Sequence, residues 1–245
     1  MSKFITRQLN TLRSLSKGLN TQLQLALRRV TKIPVKTKKH FYLAITGTMG
    51  AGKTTVAKLL AKKLKFHLIE ENFGENAFLA RFYQNMKRWA FHSQTFFLME
   101  KIAQTLSTHN LLTNKNIIQD VPIYQDVFSY AKAQHIMANM DDAEWRLYQK
   151  IYRSFEPNLP RPNYLIYIKT SLESVKARIG SRGREFERRI PDGYLELLEM
   201  LNEAWMKKEA NGIKVITVET DNLNLIKSSR DREVFIKKII HSLKL

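Results

Sequence analysis

The chain has 245 residues, 44% of which are hydrophobic, and it carries a formal net charge of +19 at pH 7. This length and composition predict one domain with a sizeable core, with or without an extension. No apolar run approaches the roughly eighteen residues of a transmembrane helix, and the lack of cysteine excludes disulfides, cysteine metal sites and a cysteine nucleophile.

Residues 1–39 form a basic leader with ten Lys or Arg and no acidic residue, and the first acidic residue of the chain is Glu70. Apolar residues recur three or four positions apart in this leader, with Ser and Thr between them. The pattern is typical of a mitochondrial transit peptide, of an amphipathic helix on a membrane or partner surface, or of a disordered extension without function. About half of the net positive charge lies in this leader, and we expect no nucleic-acid partner for the rest.

A complete phosphate-binding loop, G-x-x-x-x-G-K-[ST], follows a predicted first strand at His40–Thr46. Glycines let successive backbone N–H groups surround a polyphosphate, and the predicted helix over Thr54–Leu64 points its positive end at the anion. Lys53 should reach the β- and γ-phosphates of ATP, and the hydroxyl of Thr54 should bind Mg²⁺. The expected ATP contacts are Gly47, Thr48, Met49, Gly50, Ala51, Gly52, Lys53, Thr54 and Thr55.

The rest of the chain alternates between predicted strands and helices. Four more strands are expected at Lys65–Glu70, Asn116–Asp120, Tyr164–Lys169 and Ile213–Val218. Helices are expected over Asn76–His109, Tyr124–Asn139 and Asp142–Phe155, from the fourth strand to Arg178, through Trp205, and at the end of the chain. Nearly continuous apolar strands that alternate with helices predict an α/β fold with a five-stranded parallel sheet flanked by helices. We expect a single domain over residues 40–245.

Acidic residues follow the second and third predicted strands. The second strand ends in Glu70-Glu71 and the third in Asp120, while the first leads into the phosphate-binding loop. Ligands of parallel sheets bind at the carboxyl ends of the strands, so these residues should meet a bound polyphosphate. A cation clamp, Mg²⁺ and a carboxylate that accepts a hydroxyl proton are what phosphoryl transfer requires.

A second basic cluster follows the fourth strand and its helix. Its members lie within fourteen positions and are interrupted by Gly180 and Gly183: Lys176, Arg178, Arg182, Arg184, Arg188 and Arg189. One interpretation is a solvated helix end. The interpretation we favour is a mobile arginine-rich lid that closes over the transferring phosphoryl group.

From about Phe41 to Leu225 the chain resembles the deoxyribonucleoside kinases, particularly the bacterial deoxyadenosine and deoxyguanosine kinases. The phosphate-binding loop is shared by many unrelated enzymes, but the spacing of Tyr83, Arg88-Trp89 and Gln94, joined to the lid sequence R-x-x-x-R-G-R, is far more specific. The matching motifs follow one another in the order of the family: Glu70–Asn76, Phe82-Tyr83, Arg88–Gln94, Gln119-Asp120, Asp126, Glu144-Trp145, Arg178–Arg184, Glu187, Ile190-Pro191 and Tyr194–Glu196.

The resemblance implies roles for the residues around the acceptor. Glu71 would take the proton from the nucleoside 5′-hydroxyl, with Glu70 as a close competitor. Tyr83 and Glu187 would hold the sugar 3′-hydroxyl, and Gln94 would form a bidentate pair with the base. The remaining residues implied to line or contact the acceptor pocket are Phe82, Phe91, Lys101 and Asp126.

The resemblance also implies roles on the donor side. Asp120 would lie near Mg²⁺, together with Thr54. Arg182 and Arg184 would contact the donor phosphates and act in catalysis with Lys53. The loop around Glu219–Asn222 would lie beside the donor adenine.

Two positions depart from the family pattern. Val121 stands where the family has an Arg that supports the general base, and Lys101 replaces a base-contacting Arg with a side chain that has no planar fork. These departures affect the acceptor pocket, and either Lys101 or a lid arginine is a candidate to compensate for the missing Arg.

The sequence therefore predicts an ATP- and Mg²⁺-dependent deoxynucleoside 5′-kinase of nucleotide salvage, with a purine deoxynucleoside as acceptor. The resemblance implies a P-loop kinase fold and a homodimer. We expect a cytoplasmic location, or the mitochondrial matrix if residues 1–39 are a transit peptide. Two alternatives are a nucleoside monophosphate kinase of the thymidylate kinase type and a nucleotide-binding interaction protein with weakened catalysis.

Overall fold

The computed structural model describes residues 40–71, 73–184, 187, 190–210 and 212–243. The predicted leader over residues 1–39, and Arg188 and Arg189 of the second basic cluster, lie outside the described residues.

Five parallel strands form one sheet in the described part of the chain. They are β1 (Tyr42–Thr46), β2 (His67–Ile69), β3 (Ile117–Asp120), β4 (Tyr164–Lys169) and β5 (Lys214–Glu219). Their order in the sheet is β2-β3-β1-β4-β5, so β1 lies in the centre and pairs with β3 on one side and β4 on the other. The predicted α/β fold with a five-stranded parallel sheet is confirmed.

Helices cover both faces of this sheet. They are α1 (Lys53–Leu64), α2 (Leu79–Gln84), α3 (Met86–Leu111), the composite helix α4 (residues 123–136), α5 (Asp142–Phe155), α6 (Leu172–Arg182), α7 (Asp192–Glu209) and α8 (Ser229–Leu243). The composite helix α4 consists of an α-helical turn (Ile123–Gln125), a π-helical segment (Asp126–Ala131) and a final α-helical piece (Lys132–Ile136). Among these helices, none is long and apolar enough to cross a membrane.

Alternating side chains of the central strand serve the two faces. Tyr42 and Ala44 pack into one apolar cluster, and Leu43 and Ile45 pack into another on the opposite side. The first cluster includes buried residues of α3, α4 and α5, and the second includes those of α1 and α8. Because β1 is fully buried, its carboxyl end is fixed between two packed layers, and the phosphate-binding loop starts from a rigid base.

The long helix predicted over Asn76–His109 is wrong in one respect, since the structure divides it at Asn85. Asn85 has φ −148° and ψ 86°, outside the helical region, and its side chain accepts a hydrogen bond of 3.0 Å from the backbone N–H of Arg88. An Asn that satisfies a free N–H in this way starts a new helix, so α3 begins at Met86.

The helix before the predicted lid is longer than expected. It was predicted to end at Arg178, but α6 continues to Arg182, with Gly180 inside it and Gly183 ending it at φ 70°. Of the two glycines, only Gly183 therefore adopts the left-handed conformation that glycine favours at a helix end.

Candidate active site

The phosphate-binding loop is closed by its own lysine. The Nζ atom of Lys53 donates hydrogen bonds of 2.8 Å to the carbonyl of Gly47 and 3.1 Å to that of Thr48. Burial lowers the pKa of the Lys53 ammonium, and the nearby Glu71 and Asp120 carboxylates partly offset that effect. The ammonium is thus already in the loop, at the point where a phosphate chain would lie.

Both the backbone conformation at position 50 and the lack of room for a side chain there require glycine. Its φ of 82° is rarely adopted by residues with a side chain, and a Cβ there would lie 2.8 Å from Cγ1 of Ile179 and 3.0 Å from the carbonyl oxygen of Val175. The loop therefore packs directly against α6.

We expect Gly50→Ala to lower the free energy of unfolding by about 2–4 kcal/mol, because it combines left-handed strain with a clash against the side chain of Ile179 and a tight contact with the carbonyl oxygen of Val175. Gly180→Ala is the matched control, since nothing lies within 4 Å of its added Cβ, and it should raise stability by about 0.5–1 kcal/mol. Urea unfolding measures both changes. Equal stability of the two variants would contradict this close packing.

Thr54 and Asp120 lie together at the ends of α1 and β3. The hydroxyl of Thr54 donates a hydrogen bond of 2.6 Å to Oδ2 of Asp120, while Oδ1 of Asp120 is buried without a hydrogen-bond partner. Burial raises the pKa of the Asp120 carboxyl, and the bond from Thr54 opposes this. An oxygen that lacks a partner beside a threonine hydroxyl is suited to Mg²⁺.

In the described residues, no group of three or more His, Asp or Glu side chains could hold a metal ion by itself. Mg²⁺ commonly uses one or two carboxylates together with substrate phosphates. The pair Thr54 and Asp120 therefore fits an ion that arrives with a nucleotide.

Two residues that sequence reasoning missed hold the loop from outside. Gln125, which is buried, accepts a hydrogen bond of 2.9 Å from Thr46 and donates to the carbonyl of Gly47. Glu199 on α7 accepts hydrogen bonds from the hydroxyls of Thr48 and Tyr167. Neither belongs to a local motif, so only the folded arrangement identifies them.

A cavity of about 620 Å³ opens beside the loop and extends between α1, α3, α4 and α6. Its wall contains most of the predicted site residues: Met49, Gly50, Gly52, Lys53, Thr54, Thr55, Glu70, Glu71, Phe82, Tyr83, Gln94, Asp126, Arg182, Arg184 and Glu187. Predicted residues outside this lining are Gly47, Thr48, Ala51, Phe91, Lys101 and Asp120. Phe91 packs against the apolar core instead, and Phe97, which was not predicted, lines the cavity.

Glu70 and Glu71 have different surroundings although they are neighbours in sequence. Glu70 pairs with Lys58 at 2.7 Å, and both side chains are more than half exposed. Glu71 pairs at 3.3 Å with Lys101, whose side chain is only 2% exposed. The carboxylate of Glu71 is therefore held in the interior of the site, whereas Glu70 is at its surface.

Two residues of the cavity wall have a buried polar atom without a hydrogen-bond partner. Oε1 of Gln94 and Oδ2 of Asp126 are buried without a hydrogen-bond partner, and both residues line the cavity. Asp126 begins the π-helical segment of α4, and such segments are frequent at functional sites. Burial raises the pKa of the Asp126 carboxyl, with Lys101 opposing the shift. These atoms are available to a polar planar ligand.

Glu187 is buried and forms ion pairs with the two predicted lid arginines. Its side chain is 4% exposed, and it accepts hydrogen bonds from Arg182 and, at 3.1 Å, from Arg184. Tyr83 lies close by, and burial followed by the neighbouring Tyr194 and Glu187 raises the pKa of its hydroxyl. The predicted pairing of Tyr83 and Glu187 at one cavity is consistent with this geometry, while movement of the lid stays a prediction.

Arg178 connects the loop to the segment after β5. It donates hydrogen bonds of 2.9 Å to the carbonyl of Ala51 and 2.6 Å to that of Thr220. Asp221 in the same segment accepts from the backbone N–H of Ser171 at 3.0 Å, next to the start of α6. Arg178 therefore links the phosphate-binding loop to the segment after β5 by hydrogen bonds, and it is not part of a free lid.

Residues 43–244 match the model of a family described as deoxynucleoside kinase. A deoxyguanosine kinase of Bacillus subtilis is 36% identical over 197 residues, which cover 78% of this chain and 92% of that protein. A deoxyadenosine/deoxycytidine kinase of the same organism is 29% identical, covering 82% of this chain and 92% of its own length.

Solved structures give the same result. A deoxyadenosine kinase from M. mycoides with bound dCTP superposes with a TM-score of 0.70 at 25% identity, covering 83% of this chain and 99% of that one. The M. mycoides deoxyadenosine kinase with bound dATP also has a TM-score of 0.70, at 26% identity, covering 84% of this chain and 100% of that one.

Proposed function

This chain belongs to the deoxynucleoside kinase family, and from that premise we propose that it transfers the γ-phosphoryl group of ATP to the 5′-hydroxyl of a purine deoxynucleoside. The chain is a phosphotransferase that phosphorylates a nucleoside and uses a nucleoside triphosphate as donor. ATP as donor, Mg²⁺ as cofactor and a purine as base are the specific parts of the proposal.

One observation carries it: a single cavity is lined both by the phosphate-binding loop and by Glu71, Gln94 and Asp126. Donor phosphates and an acceptor can thus lie in the same space, with a carboxylate among them. Transfer between two bound substrates depends mainly on this positioning and on charge stabilisation.

The position of each residue suggests its role in binding the phosphates, holding Mg²⁺ or accepting the proton. Lys53 and the loop amides would hold the β- and γ-phosphates, and Arg182 and Arg184 would stabilise charge on the transferring group. Thr54 and Asp120 would hold Mg²⁺, which neutralises phosphate charge when bound. Glu71 would accept the proton of the 5′-hydroxyl as that oxygen attacks phosphorus.

The acceptor would be held by the buried polar groups of the cavity wall. Gln94 and Asp126 offer buried polar atoms to the edge of a base, with Phe82 in the wall beside them. Tyr83 and Glu187 would hold the sugar 3′-hydroxyl. For Glu187 this requires at least one of its arginine contacts to be shared with substrate or replaced.

The test is a panel of deoxyadenosine, deoxyguanosine, deoxycytidine and thymidine, each with ATP and Mg²⁺, and the four 5′-monophosphates as parallel acceptors. We expect at least one purine deoxynucleoside to give its monophosphate, and none of the monophosphates to react. ATP binding without turnover of any compound would favour an interaction protein, an alternative that the comparisons do not support.

Gln94→Leu should raise KM for the deoxynucleoside by about 10- to 100-fold and leave KM for ATP nearly unchanged. The reason is that the base would keep polar groups in a buried pocket without the amide that pairs with them. Gln84→Leu is the control, because Gln84 is exposed at the end of α2. Steady-state kinetics with each substrate varied would measure this, and an unchanged deoxynucleoside KM would contradict the role of Gln94.

Assembly and location are further parts of the proposal. We expect a homodimer, which light scattering of the purified protein would test, and a cytoplasmic location. Residues 1–39 fused to a fluorescent reporter in eukaryotic cells should give a diffuse signal. Mitochondrial signal would instead support the transit-peptide interpretation of the leader.

A further inference from the structure

Lys101 is a buried cation that does not line the active-site cavity. It belongs to α3, its side chain is 2% exposed, and the described cavity lining does not contain it. Its Nζ atom lies 3.3 Å from Oε1 of Glu71 and 3.3 Å from the backbone carbonyl oxygen of Asp120. A fully buried lysine is rare and depends on such partners.

Among the ion pairs of the described residues, Lys101 is the cation bonded to Glu71. The neighbouring Lys53 is engaged instead by two loop carbonyls, at 2.8 and 3.1 Å. Glu71 itself lines the cavity and its side chain is 26% exposed. Its carboxylate is therefore held from behind by Lys101 and remains accessible to a ligand in front.

The peptide between Asp120 and Val121 fixes Lys101 in turn. Its N–H, from Val121, donates a hydrogen bond of 3.2 Å to the carbonyl of Ile45 in β1, and its carbonyl, from Asp120, accepts from Lys101. Val121 is buried and has φ 60°, a conformation that a β-branched residue rarely adopts. Strain of this kind persists where the surrounding structure demands a particular peptide orientation.

We infer that Lys101 is a positioning residue for the proton acceptor: it orients the carboxylate of Glu71 towards the acceptor hydroxyl and does not contact the nucleoside. The inference rests on the proposed function, in which Glu71 accepts the proton. A carboxylate displaced by about 1 Å from its productive position can lose about 100-fold in rate without any loss of substrate binding.

The first test compares Lys101→Met with Lys101→Arg, using the best deoxynucleoside of the panel, ATP and Mg²⁺. We expect Lys101→Met to lower kcat by about 100-fold with both KM values within about threefold of wild type. Lys101→Arg, which retains the charge, should recover at least about tenfold of that loss. A raised deoxynucleoside KM at unchanged kcat would overturn the inference, since it is the signature of a lost substrate contact.

A double-mutant cycle with Glu71→Gln separates this inference from the proposed function. If Lys101 acts through Glu71, Lys101→Met should lower kcat little further in the Glu71→Gln background. Full additivity overturns the positioning role, whereas normal turnover by Glu71→Gln alone overturns the proposed proton acceptor. Lys169→Met, which removes the exposed pair with Glu203, is the control and should keep wild-type kinetics.

Circular dichroism and thermal unfolding establish that each variant is folded. If Lys101→Met does not fold, the same cycle with Lys101→Arg decides the question. A folded Arg variant that raises only the deoxynucleoside KM, or whose loss of kcat adds fully to that of Glu71→Gln, would overturn the inference.

Discussion

Glu71→Gln should lower kcat by about 10²- to 10⁴-fold, the range by which a positioned general base accelerates a reaction. Glutamine has the same shape but cannot accept the proton of the 5′-hydroxyl. Because Glu71 pairs with Lys101 rather than with a group of the phosphate-binding loop, we expect the affinity for ATP, measured by isothermal titration calorimetry, to change by less than about threefold.

Glu70→Gln is the matched control for this prediction. Glu70 lines the same cavity, but its carboxylate is exposed and pairs with Lys58 at the surface. We therefore expect kcat of Glu70→Gln to remain within about tenfold of wild type. The opposite result, a large loss for Glu70→Gln and a small one for Glu71→Gln, would move the proton acceptor by one residue.

Lys53→Met should weaken ATP binding and lower kcat by about 100- to 1,000-fold, because the ammonium stabilises charge on the transferring phosphates. Stability should change by about 1 kcal/mol or less. Methionine loses the bonds to Gly47 and Thr48, but it also removes the cost of burying an ammonium, the same cost that lowers the pKa of Lys53.

Lys62→Met provides the control for Lys53→Met. Lys62 lies in the last turn of the same helix and is exposed. Calorimetric titration with ATP, followed by kinetics, should leave Lys62→Met unchanged. If Lys53→Met bound ATP as tightly as wild type, the loop would not hold phosphates in the way proposed.

The donor side of the site could be predicted from the sequence because the motif that forms it is local. Eight consecutive residues specify the phosphate-binding loop, the run before it in β1 is almost continuously apolar, and α1 after it has apolar residues at helical spacing. The ends of β2 and β3 follow from the same reasoning, since parallel strands deliver their carboxyl ends to one edge. Glu71, Asp120 and the loop were accordingly predicted near one another.

The contacts that hold the phosphate-binding loop could not be predicted from the sequence, since they join residues far apart in the chain. Gln125 holds Gly47 across 78 positions, and Glu199 holds Thr48 across 151. No pattern in either segment indicates these bonds. The division of the long helix at Asn85 was missed for a different reason, because one capping side chain outweighed an otherwise helical sequence.

The departures from the family pattern gain a physical explanation at Lys101. The family resemblance implies an arginine where this chain has Val121, and it leaves Lys101 either as a substrate contact or as a candidate to compensate for that arginine. In the fold Lys101 lies behind Glu71, so a cation reaches the proposed proton acceptor from α3 rather than from the end of β3. Residue identity alone could not distinguish these positions, because the direction of the side chain depends on packing.

The most direct test of the central claim is a competition between two acceptors. An equimolar mixture of deoxyguanosine and its 5′-monophosphate would be incubated with the protein, Mg²⁺ and a limiting amount of ATP labelled at the γ-phosphate, and the same mixture would be prepared with the deoxyadenosine pair. We predict that the label appears in the deoxynucleoside monophosphate of at least one mixture. Label in the diphosphate alone would contradict the account, because the acceptor would then be a monophosphate rather than a nucleoside.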